Sequence, residues 1–538
     1  MKSRSCVVHN IALIIVPVQE VERPPMGPAV LKSLAQSMGH KATVYDLNVW
    51  LYEKVDAEQF WRYDMWFKTD AVADQDPGTR NEIAELFREF LQDKVFPQGP
   101  TMIGVSVFSN YSTRSSILFL EVLQELGYNG MRVAGGSGLT TPYDTKSSVR
   151  EDGIQEVKTS TFFSGHLMNN GLIDHYITGD AEDSWQELLN GNYTWPGIDN
   201  HDHIQIRNLD DYPWPDYTDN PPSIYYPTSG LGVYVNTSRG CFRKCTFCDV
   251  PWRWPKFSYR KGELVADEMY HMYKLHGVRI YQLADSTMNG SQKQWDAMNR
   301  RLLEHRQTDP GFKDLTILGM GVIRRAKEMP ESSWELMGEV GTFTFICGVE
   351  SYSERVRDHM RKEMTNDDID FHLRMSAKYG HSNLILMFVG YPTETLEDHQ
   401  MNIEFLHKYR KYMQSGTIWM VRWGFTGSLD IGSPLANATT DLKIVQQDPD
   451  LNLSHLVDSD RNWIYGRNWL NLGNPDLTIE ERMRRRIEIH EIACDLGYIQ
   501  PKIKEELVII RKILTEFKGV GSKTQQLIPI IAYQEKDH

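Results

Sequence analysis

Apolar runs and helix-patterned segments alternate along the first 200 residues of the chain. The run IALIIVPV at 11–18 is apolar at nearly every position, which is typical of a strand buried on both faces. Residues 27–40 then repeat apolar positions at helical spacing and reach Gly39 near their end. Further strands are predicted at 41–48, 101–110, 131–138 and near 174, with helices near 81–93, at 115–128 and up to 191. This alternation predicts a parallel sheet whose ligand site lies at the carboxyl ends of its strands.

A segment rich in proline, aspartate and aromatic residues interrupts the alternation at 209–227. Proline favours extended backbone in the residue before it, so we predict an irregular linker at 201–230. Strands are predicted again from GVYV at 232, and then at 278–286, 315–322, 342–351, 383–392 and 417–425. Six such strands with helices between most of them predict a parallel sheet that closes partly into a barrel. Helices are predicted in the remainder at 478–498 and 502–517.

The composition describes a globular protein without a membrane or secretory signature. The chain has 538 residues, 41% of them hydrophobic, and a net charge of -14. No apolar run approaches the roughly 20 residues of a membrane span, and no signal sequence is recognisable, so we expect a cytoplasmic protein. The lack of a long basic stretch argues against nucleic acid or a membrane surface as the main partner.

Three of the six cysteines lie within eight residues, in CFRKCTFC. Cys241, Cys245 and Cys248 have the spacing C-x3-C-x2-C directly after a predicted strand. Thiolates select soft metals, which leaves an iron–sulfur cluster or zinc. A zinc site needs a fourth ligand, such as Cys347, Cys494 or a histidine, although Cys347 has the mid-strand position of an ordinary buried thiol. The cysteines by themselves leave both metals open.

With its neighbours, the cysteine motif resembles the signature of the radical S-adenosylmethionine (SAM) enzymes. Arg239 and Gly240 precede the motif, and Phe247 stands directly before its last cysteine. GVESYSERVRDHMRKEMT at 348–365 is similar to the family's strand-four segment, and FVGYPTETLED at 388–398 resembles the motif of the next strand. Two earlier segments, at 177–185 and 207–217, look like the end of the N-terminal domain and the linker of the cobalamin-binding subgroup.

The resemblance implies an α/β protein with three structural regions. Residues 1–200 would form a Rossmann-like cobalamin-binding domain, and 201–230 would be the linker. Residues 231–440 would form a partial (β/α)6 TIM-type radical SAM barrel, and 441–538 a mainly helical C-terminal domain.

The family chemistry assigns a role to each cysteine. Three thiolates would hold three irons of a 4Fe-4S cluster and leave the fourth iron open to the amino and carboxylate groups of SAM. An electron from an external donor, such as flavodoxin or ferredoxin, would cleave SAM to methionine and a 5'-deoxyadenosyl radical. The radical would then abstract hydrogen from a small-molecule or peptide substrate.

By analogy, Glu350 would reach the ribose or amino group of SAM, with a salt bridge in a loop as the alternative. Family members often have a Gly-Gly-Glu segment after strand two, whereas this chain reads LADSTMN, so Asp285 or Ser286 would substitute there. Arg324 is a candidate for the SAM pocket or for a solvated helix start. Gly390 is a candidate cofactor contact or a turn residue that precedes a helix.

Cobalamin binding would involve two loops of the N-terminal domain. The loop after the first strand, at 16–28, has no histidine to bind cobalt, as is normal in this subgroup. Ser106 and Ser109 lie in the loop SVFS, and Gly135 and Gly136 lie in AGGSG, where glycine would let the backbone approach the corrin. The alternative is a degenerate domain that binds no cobalamin.

Three functions remain open at this point. The leading one is cobalamin-dependent methylation of an unactivated carbon. The second is a radical SAM cyclase, oxidase or rearrangement enzyme without methyl transfer, and the remote third is a non-catalytic metal or cobalamin-binding protein.

Overall fold

The chain forms two compact units in a computed structural model. The structure describes residues 8–68, 76–149, 155–202, 204–206, 208–227, 230–424, 433–437, 444–446, 469–471 and 473–498. The predicted helix at 502–517 lies outside these residues. One unit is formed mainly by Met1–Ser148 and Glu156–Tyr234, and the other mainly by Val235–Asn452 and Asn462–His538.

The first unit contains a five-stranded parallel sheet. Its strands in chain order are β1 (Asn10–Ile15), β2 (Lys41–Asp46), β3 (Met102–Ser106), β4 (Met131–Gly135) and β7 (His175–Ile177), while β5 (Pro142–Val149) and β6 (Gln155–Phe162) form a separate pair. The order across the sheet is β2-β1-β3-β4-β7. Helices lie at Met26–Ser37, Leu47–Lys54, Ala57–Lys68, Pro77–Phe90, Thr113–Glu125, Phe163–Asn169 and Ala181–Leu189. The predicted parallel sheet is confirmed.

Strand β1 is apolar from Ile11 to Ile15 because helices cover both faces of the sheet. Ile11 and Leu13 belong to the apolar core on one face, whereas Ala12 and Ile14 belong to the core on the other. All four side chains are at most 5% exposed. A strand buried on two faces has no polar side, which explains why its sequence does not alternate.

The aromatic linker is built into this first unit along its outermost strand, β2. Asp219 accepts a hydrogen bond from the Val44 amide at 2.9 Å, and Asn220 donates one to the Val44 carbonyl at 3.0 Å. The ammonium of Lys32, which is 2% exposed, pairs with Asp216 at 3.1 Å and Asp219 at 2.7 Å. Side chains of the linker therefore hydrogen-bond the backbone of the edge strand β2, and its carboxylates balance the charge of the buried Lys32.

The second unit contains most of the predicted partial barrel. Its strands are β8 (Gly232–Val235), β11 (Ile280–Leu283), β12 (Leu315–Gly321), β13 (Gly341–Glu350), β14 (Ser382–Phe388) and β15 (Ile418–Gly424), in that spatial order, while β9 (Ser238–Arg239) and β10 (Ser258–Tyr259) pair separately. Helices lie at Gly262–His276, Gln292–Thr308, Glu331–Val340, Glu354–His359, Asn366–Tyr379 and Leu396–Gln414. Neighbouring strands from β11 to β15 run parallel, and six strands in sequential order confirm the prediction.

The two faces of the barrel strands differ in burial. On β13, Phe343, Phe345 and Cys347 are fully buried towards the helices, whereas the intervening Thr344 and Ile346 on the inner face are half-buried. The Cys347 sulfur lies 3.9 Å from Nε2 of His372, on the helix Asn366–Tyr379. Cys347 is therefore the buried thiol that its mid-strand position predicts.

The C-terminal region contributes the helix Ile479–Leu496, close to its predicted range, and a short antiparallel pair, β16 (Ile444–Gln446) and β17 (Trp469–Asn471). The Arg482 guanidinium lies 3.8 Å from the ring centre of Trp469 and donates a hydrogen bond to its carbonyl at 2.8 Å. Among the described helices, none combines the length and the apolar character that crossing a bilayer requires.

Candidate metal centre

The three clustered cysteines lie in the loop that follows β8. Strand β9, just before the loop, pairs with β10 just after it, which closes the base of the loop. Gly240 has a φ of +79° between β9 and Cys241, and an added Cβ would lie 3.0 Å from the Trp254 Cβ. Glycine is needed there because other residues are strained in this left-handed conformation and would also contact Trp254.

The start of the loop is held by the carboxylate of Asp285. This carboxylate accepts hydrogen bonds from the amides of Thr237 and Ser238, each at 2.9 Å, and from Asn236 Nδ2 at 3.1 Å. The Thr237 hydroxyl is a fourth donor. Burial raises the pKa of Asp285 to about 6, an effect that these donors oppose.

Four donors occupy most of the accepting capacity of one carboxylate. The observed partners of Asp285 are therefore protein groups, and its contact with SAM stays a prediction. Ser286 is half-buried beside it, with its carbonyl accepting a hydrogen bond from the Thr287 hydroxyl at 2.7 Å. A role for Ser286 towards SAM also stays a prediction.

Thr287 makes a contact with a cysteine that the sequence analysis missed. Its hydroxyl lies 2.8 Å from the Cys241 sulfur, in donor geometry, and the side chain is fully buried. The Ser238 hydroxyl donates to the Thr287 carbonyl at 2.9 Å. The segment LADSTMN thus holds the cysteine loop through Asp285 and Thr287.

The second half of the loop is tied to the segment after β14. The Thr246 hydroxyl and Nδ1 of His359 each lie 2.9 Å from the hydroxyl of Tyr391. The Thr246 amide also donates to the Met360 carbonyl at 3.0 Å. The loop is therefore anchored on both sides of Cys245, by residues that are far apart in the sequence.

Phe247, the aromatic residue of the motif, connects the loop to an ion pair. Its ring packs edge-on against Phe388 with 5.3 Å between the ring centres. On the same ring, Nζ of Lys362 lies 5.8 Å from the centre, and this ammonium pairs with Glu350 at 3.1 Å. Although burial opposes it, the charge of Glu350 raises the pKa of Lys362.

Glu350 ends β13 in an uncommon backbone conformation. Its φ is +68°, and the pairing with β14 shifts register between Gly348 and Glu350. A Cβ on Gly348 would lie 2.1 Å from Glu350 Oε1 and 2.9 Å from Lys362 Nζ. Gly348 thus leaves the space that the ion pair occupies. The salt bridge that the sequence analysis left open is formed, while the SAM contact of Glu350 stays a prediction.

Arg324 lies against the cysteine loop. Its guanidinium donates to the carbonyls of Asn289 and Gly290, both at 2.9 Å, and lies 5.2 Å from the ring centre of Phe242. Burial lowers the pKa of Arg324. Arg324 is thus a partly buried link between the loop after β11 and the cysteine loop, and a contact with SAM is untested.

Gly390 occupies a tight turn under the C-terminal helix. Its φ is +81°, and an added Cβ would lie 2.5 Å from the Arg482 Cγ. The Gly390 amide donates to Glu394 at 3.2 Å, and Glu394 pairs with Arg485 at 3.1 Å. Burial raises the pKa of Glu394 to about 7. These contacts account for a glycine at 390, and its role towards a cofactor stays a prediction.

Among the described residues, the three thiols do not form a site for a single metal ion. Among the residues that the structure describes, no three histidine, cysteine or acidic side chains converge on one metal ion, as a closed zinc site requires. A cluster does not need that convergence, because each thiolate binds a different iron. Burial raises the pKa of Cys248 to about 12 and also raises that of Cys245, and a bound cationic metal would stabilise their thiolates.

The predicted cobalamin residues come together at the carboxyl edge of the first unit's sheet. The Val107 amide, next to Ser106, donates to the Gly135 carbonyl at 2.7 Å. A Cβ on Gly135 would meet no atom within 4 Å, whereas one on Gly136 would lie 2.3 Å from the Val107 carbonyl oxygen. Gly136 is thus required by the protein's own packing, and Gly135 leaves open space for a ligand. Ser109 is half-buried in the adjacent loop.

Comparison with known proteins relates part of the chain to a protein family. Residues 235–406 match the family model described as the Radical SAM superfamily. An uncharacterized methyltransferase of Pyrococcus horikoshii is 27% identical over 206 residues, which are 38% of this chain and 42% of the relative. The chain spans about half the length of most of the curated relatives it matches.

Two solved structures share the fold over most of the chain. The radical SAM methyltransferase TsrM from Kitasatospora setae, solved with cobalamin and a [4Fe-4S] cluster, aligns with a TM-score of 0.56 and 15% identity, covering 82% of this chain and 76% of TsrM. The cobalamin-dependent radical SAM enzyme OxsB, solved with aqua-cobalamin, aligns with a TM-score of 0.58 and 13% identity, covering 94% of this chain and 72% of OxsB. At these identities the likeness concerns the fold.

Proposed function

We propose that the protein, whose residues 235–406 match the Radical SAM superfamily, is a cobalamin-dependent enzyme that methylates an unactivated carbon of a small molecule or peptide. The observation that carries the proposal is the loop with Cys241, Cys245 and Cys248, which is anchored by Asp285 on one side and by Tyr391 on the other. Such a loop offers three thiols in a fixed frame and leaves a cluster iron without a protein ligand.

The cluster, when bound and reduced by an external donor such as flavodoxin or ferredoxin, supplies the electron that cleaves SAM. This chain's residues would position the reactants. Glu350, held by Lys362, would accept a hydrogen bond from the amino or ribose group of SAM. Arg324 would hold the cysteine loop in position through its contact with the Phe242 ring.

Two features of the first unit support cobalamin as the second cofactor. Its parallel sheet presents an open carboxyl edge at Gly135, and ligands of such sheets bind at that edge. Phe108, in the loop after β3, is 56% exposed, so its ring is accessible to a flat apolar ligand. Two solved structures that share this fold over most of the chain, TsrM and OxsB, contain bound cobalamin.

Anaerobic reconstitution tests the proposal. With iron, sulfide and hydroxocobalamin, we expect about four irons and one cobalamin per chain. Reduction in the presence of SAM is expected to yield 5'-deoxyadenosine and about one S-adenosylhomocysteine per cobalamin, as methyl transfer to the corrin requires. Cleavage to 5'-deoxyadenosine without cobalamin or S-adenosylhomocysteine would favour the cyclase or oxidase alternative. Failure to bind iron would contradict the proposal that the protein is a radical SAM enzyme.

The inner face of the barrel supports a substrate that combines apolar and anionic parts. Ile346 lies between Met320 and Leu384 in the register of the sheet, and Met320 is 36% exposed. On β15, Val421 and Trp423 are buried, whereas Arg422 between them is exposed and is paired in register with Leu386. The Arg422 side chain has no ion pair with a residue in the described part of the chain. A guanidinium without an ion pair among the described residues, beside apolar side chains, suits a carboxylate or phosphate.

Replacing Arg422 with glutamine tests this substrate class. We expect Arg422→Gln to keep the substrate-free rate of 5'-deoxyadenosine formation and the affinity for SAM near those of the parent. Acid substrates should lose their advantage over the matching carboxamides in stimulating SAM cleavage. A loss of SAM affinity instead would show that Arg422 binds the carboxylate of SAM, and an unchanged acid preference would contradict the assignment.

A further inference from the structure

The segment that replaces the family's Gly-Gly-Glu is tied to the cysteine loop at two alternate residues. Asp285 holds the amides of Thr237 and Ser238, and Thr287 places its hydroxyl 2.8 Å from the sulfur of Cys241. All of these residues except the half-buried Cys241 are at most 9% exposed. Water therefore competes little for the hydroxyl of Thr287.

The hydroxyl of Thr287 has one proton and two acceptors within reach. The Ser286 carbonyl lies at 2.7 Å and the Cys241 sulfur at 2.8 Å. A sulfur that carries the negative charge of a cluster-bound thiolate is a stronger acceptor than a neutral carbonyl. Its acceptor strength rises further when the cluster gains an electron.

We propose that Thr287 is a positioning residue for Cys241 and that its hydroxyl raises the reduction potential of the cluster. The inference rests on the proposed function only in requiring that a cluster be bound. A hydrogen bond to a ligand sulfur stabilises the more negative, reduced cluster more than the oxidised one, which makes reduction easier. The segment LADSTMN would thus tune the reduction of the cluster, in addition to any contact it makes with SAM.

The test is the midpoint potential of the cluster in two substitutions of Thr287. Valine has nearly the shape of threonine and lacks the hydroxyl, whereas serine keeps it. We expect Thr287→Val to shift the potential to more negative values and Thr287→Ser to keep it near that of the parent, as measured by electron paramagnetic resonance at a series of poised potentials. Thr344→Val is the matched control, because it also removes a threonine hydroxyl, one that hydrogen-bonds Ser382 at 2.8 Å and not a cysteine.

Each outcome bears on the proposal. Equal potentials in Thr287→Val and the parent would overturn it, as would loss of iron from both Thr287→Val and Thr287→Ser, since serine retains the hydrogen bond. Loss of iron from the valine protein alone would support the contact with Cys241. A parent that binds no cluster would refute the proposed function instead, so the two failures are distinguishable.

Discussion

Protein in which Cys241, Cys245 and Cys248 are all replaced with alanine is expected to bind no iron after reconstitution and to form no 5'-deoxyadenosine. Of the five cysteines among the described residues, these three alone lie in one loop. Each would hold a separate iron, so a single substitution is also expected to reduce the iron content and abolish SAM cleavage. The measurements are iron and sulfide content, together with 5'-deoxyadenosine by chromatography.

Cys347→Ala is the matched control for this experiment. Cys347 is fully buried towards the helix Asn366–Tyr379, and its substitution removes a thiol without touching the loop. Its iron content and SAM cleavage should remain those of the parent. Iron retained at the parent level in the triple variant would refute the assignment of the cluster ligands. Iron loss in Cys347→Ala would point to a fourth protein ligand and would contradict a cluster iron left open to SAM.

The second large effect concerns the affinity for SAM. Glu350→Gln is expected to weaken SAM binding about 10- to 100-fold, because hydrogen bonds to charged groups contribute about 1.5–3 kcal/mol. The substitution keeps the shape of the side chain and removes its charge. The reconstituted protein is titrated with SAM by equilibrium dialysis, with iron content measured on the same samples to ensure equal cluster loading.

A double-mutant cycle with Lys362→Met separates two roles of Glu350. If the carboxylate contacts SAM, Glu350→Gln should weaken SAM binding by a similar factor with Lys362 present or replaced. If the carboxylate acts only through its ion pair at 3.1 Å, the effect of Glu350→Gln should vanish in the Lys362→Met background. The second result would contradict the proposed contact and leave Glu350 as a positioning residue.

The pattern of apolar residues predicted the two sheets because the burial of the strands determines both which positions are apolar and how helices and sheet form layers. The ends of the strands were less predictable. The segment 101–110 was predicted as one strand, yet β3 ends at Ser106. The Val107 amide makes the last hydrogen bond of the ladder, to the Gly135 carbonyl, and the Val107 carbonyl then accepts a hydrogen bond from the Gly138 amide at 3.0 Å. Gly138 belongs to the turn after β4, so the sequence SVF gives no sign that the strand ends there.

The cysteines of the site could be predicted because their chemistry depends on spacing within one loop. The partners that hold the loop could not, because they come from distant segments. Asp285 was predicted to contact a ligand, whereas its four donors belong to the backbone and side chains of residues 236–238. Thr287 and Tyr391 have no local pattern that distinguishes them from other buried polar residues.

The pairing of the linker with β2 limits where the first unit can be separated from the rest. A fragment that stops near residue 200 would leave Lys32 without Asp216 and Asp219, and would uncover the amide and carbonyl of Val44. An uncovered sheet edge is a template for intermolecular strand pairing, and an unpaired buried ammonium favours unfolding. The segment at 209–227 has the composition of a flexible linker, yet it protects the edge strand of this unit from intermolecular pairing and aggregation.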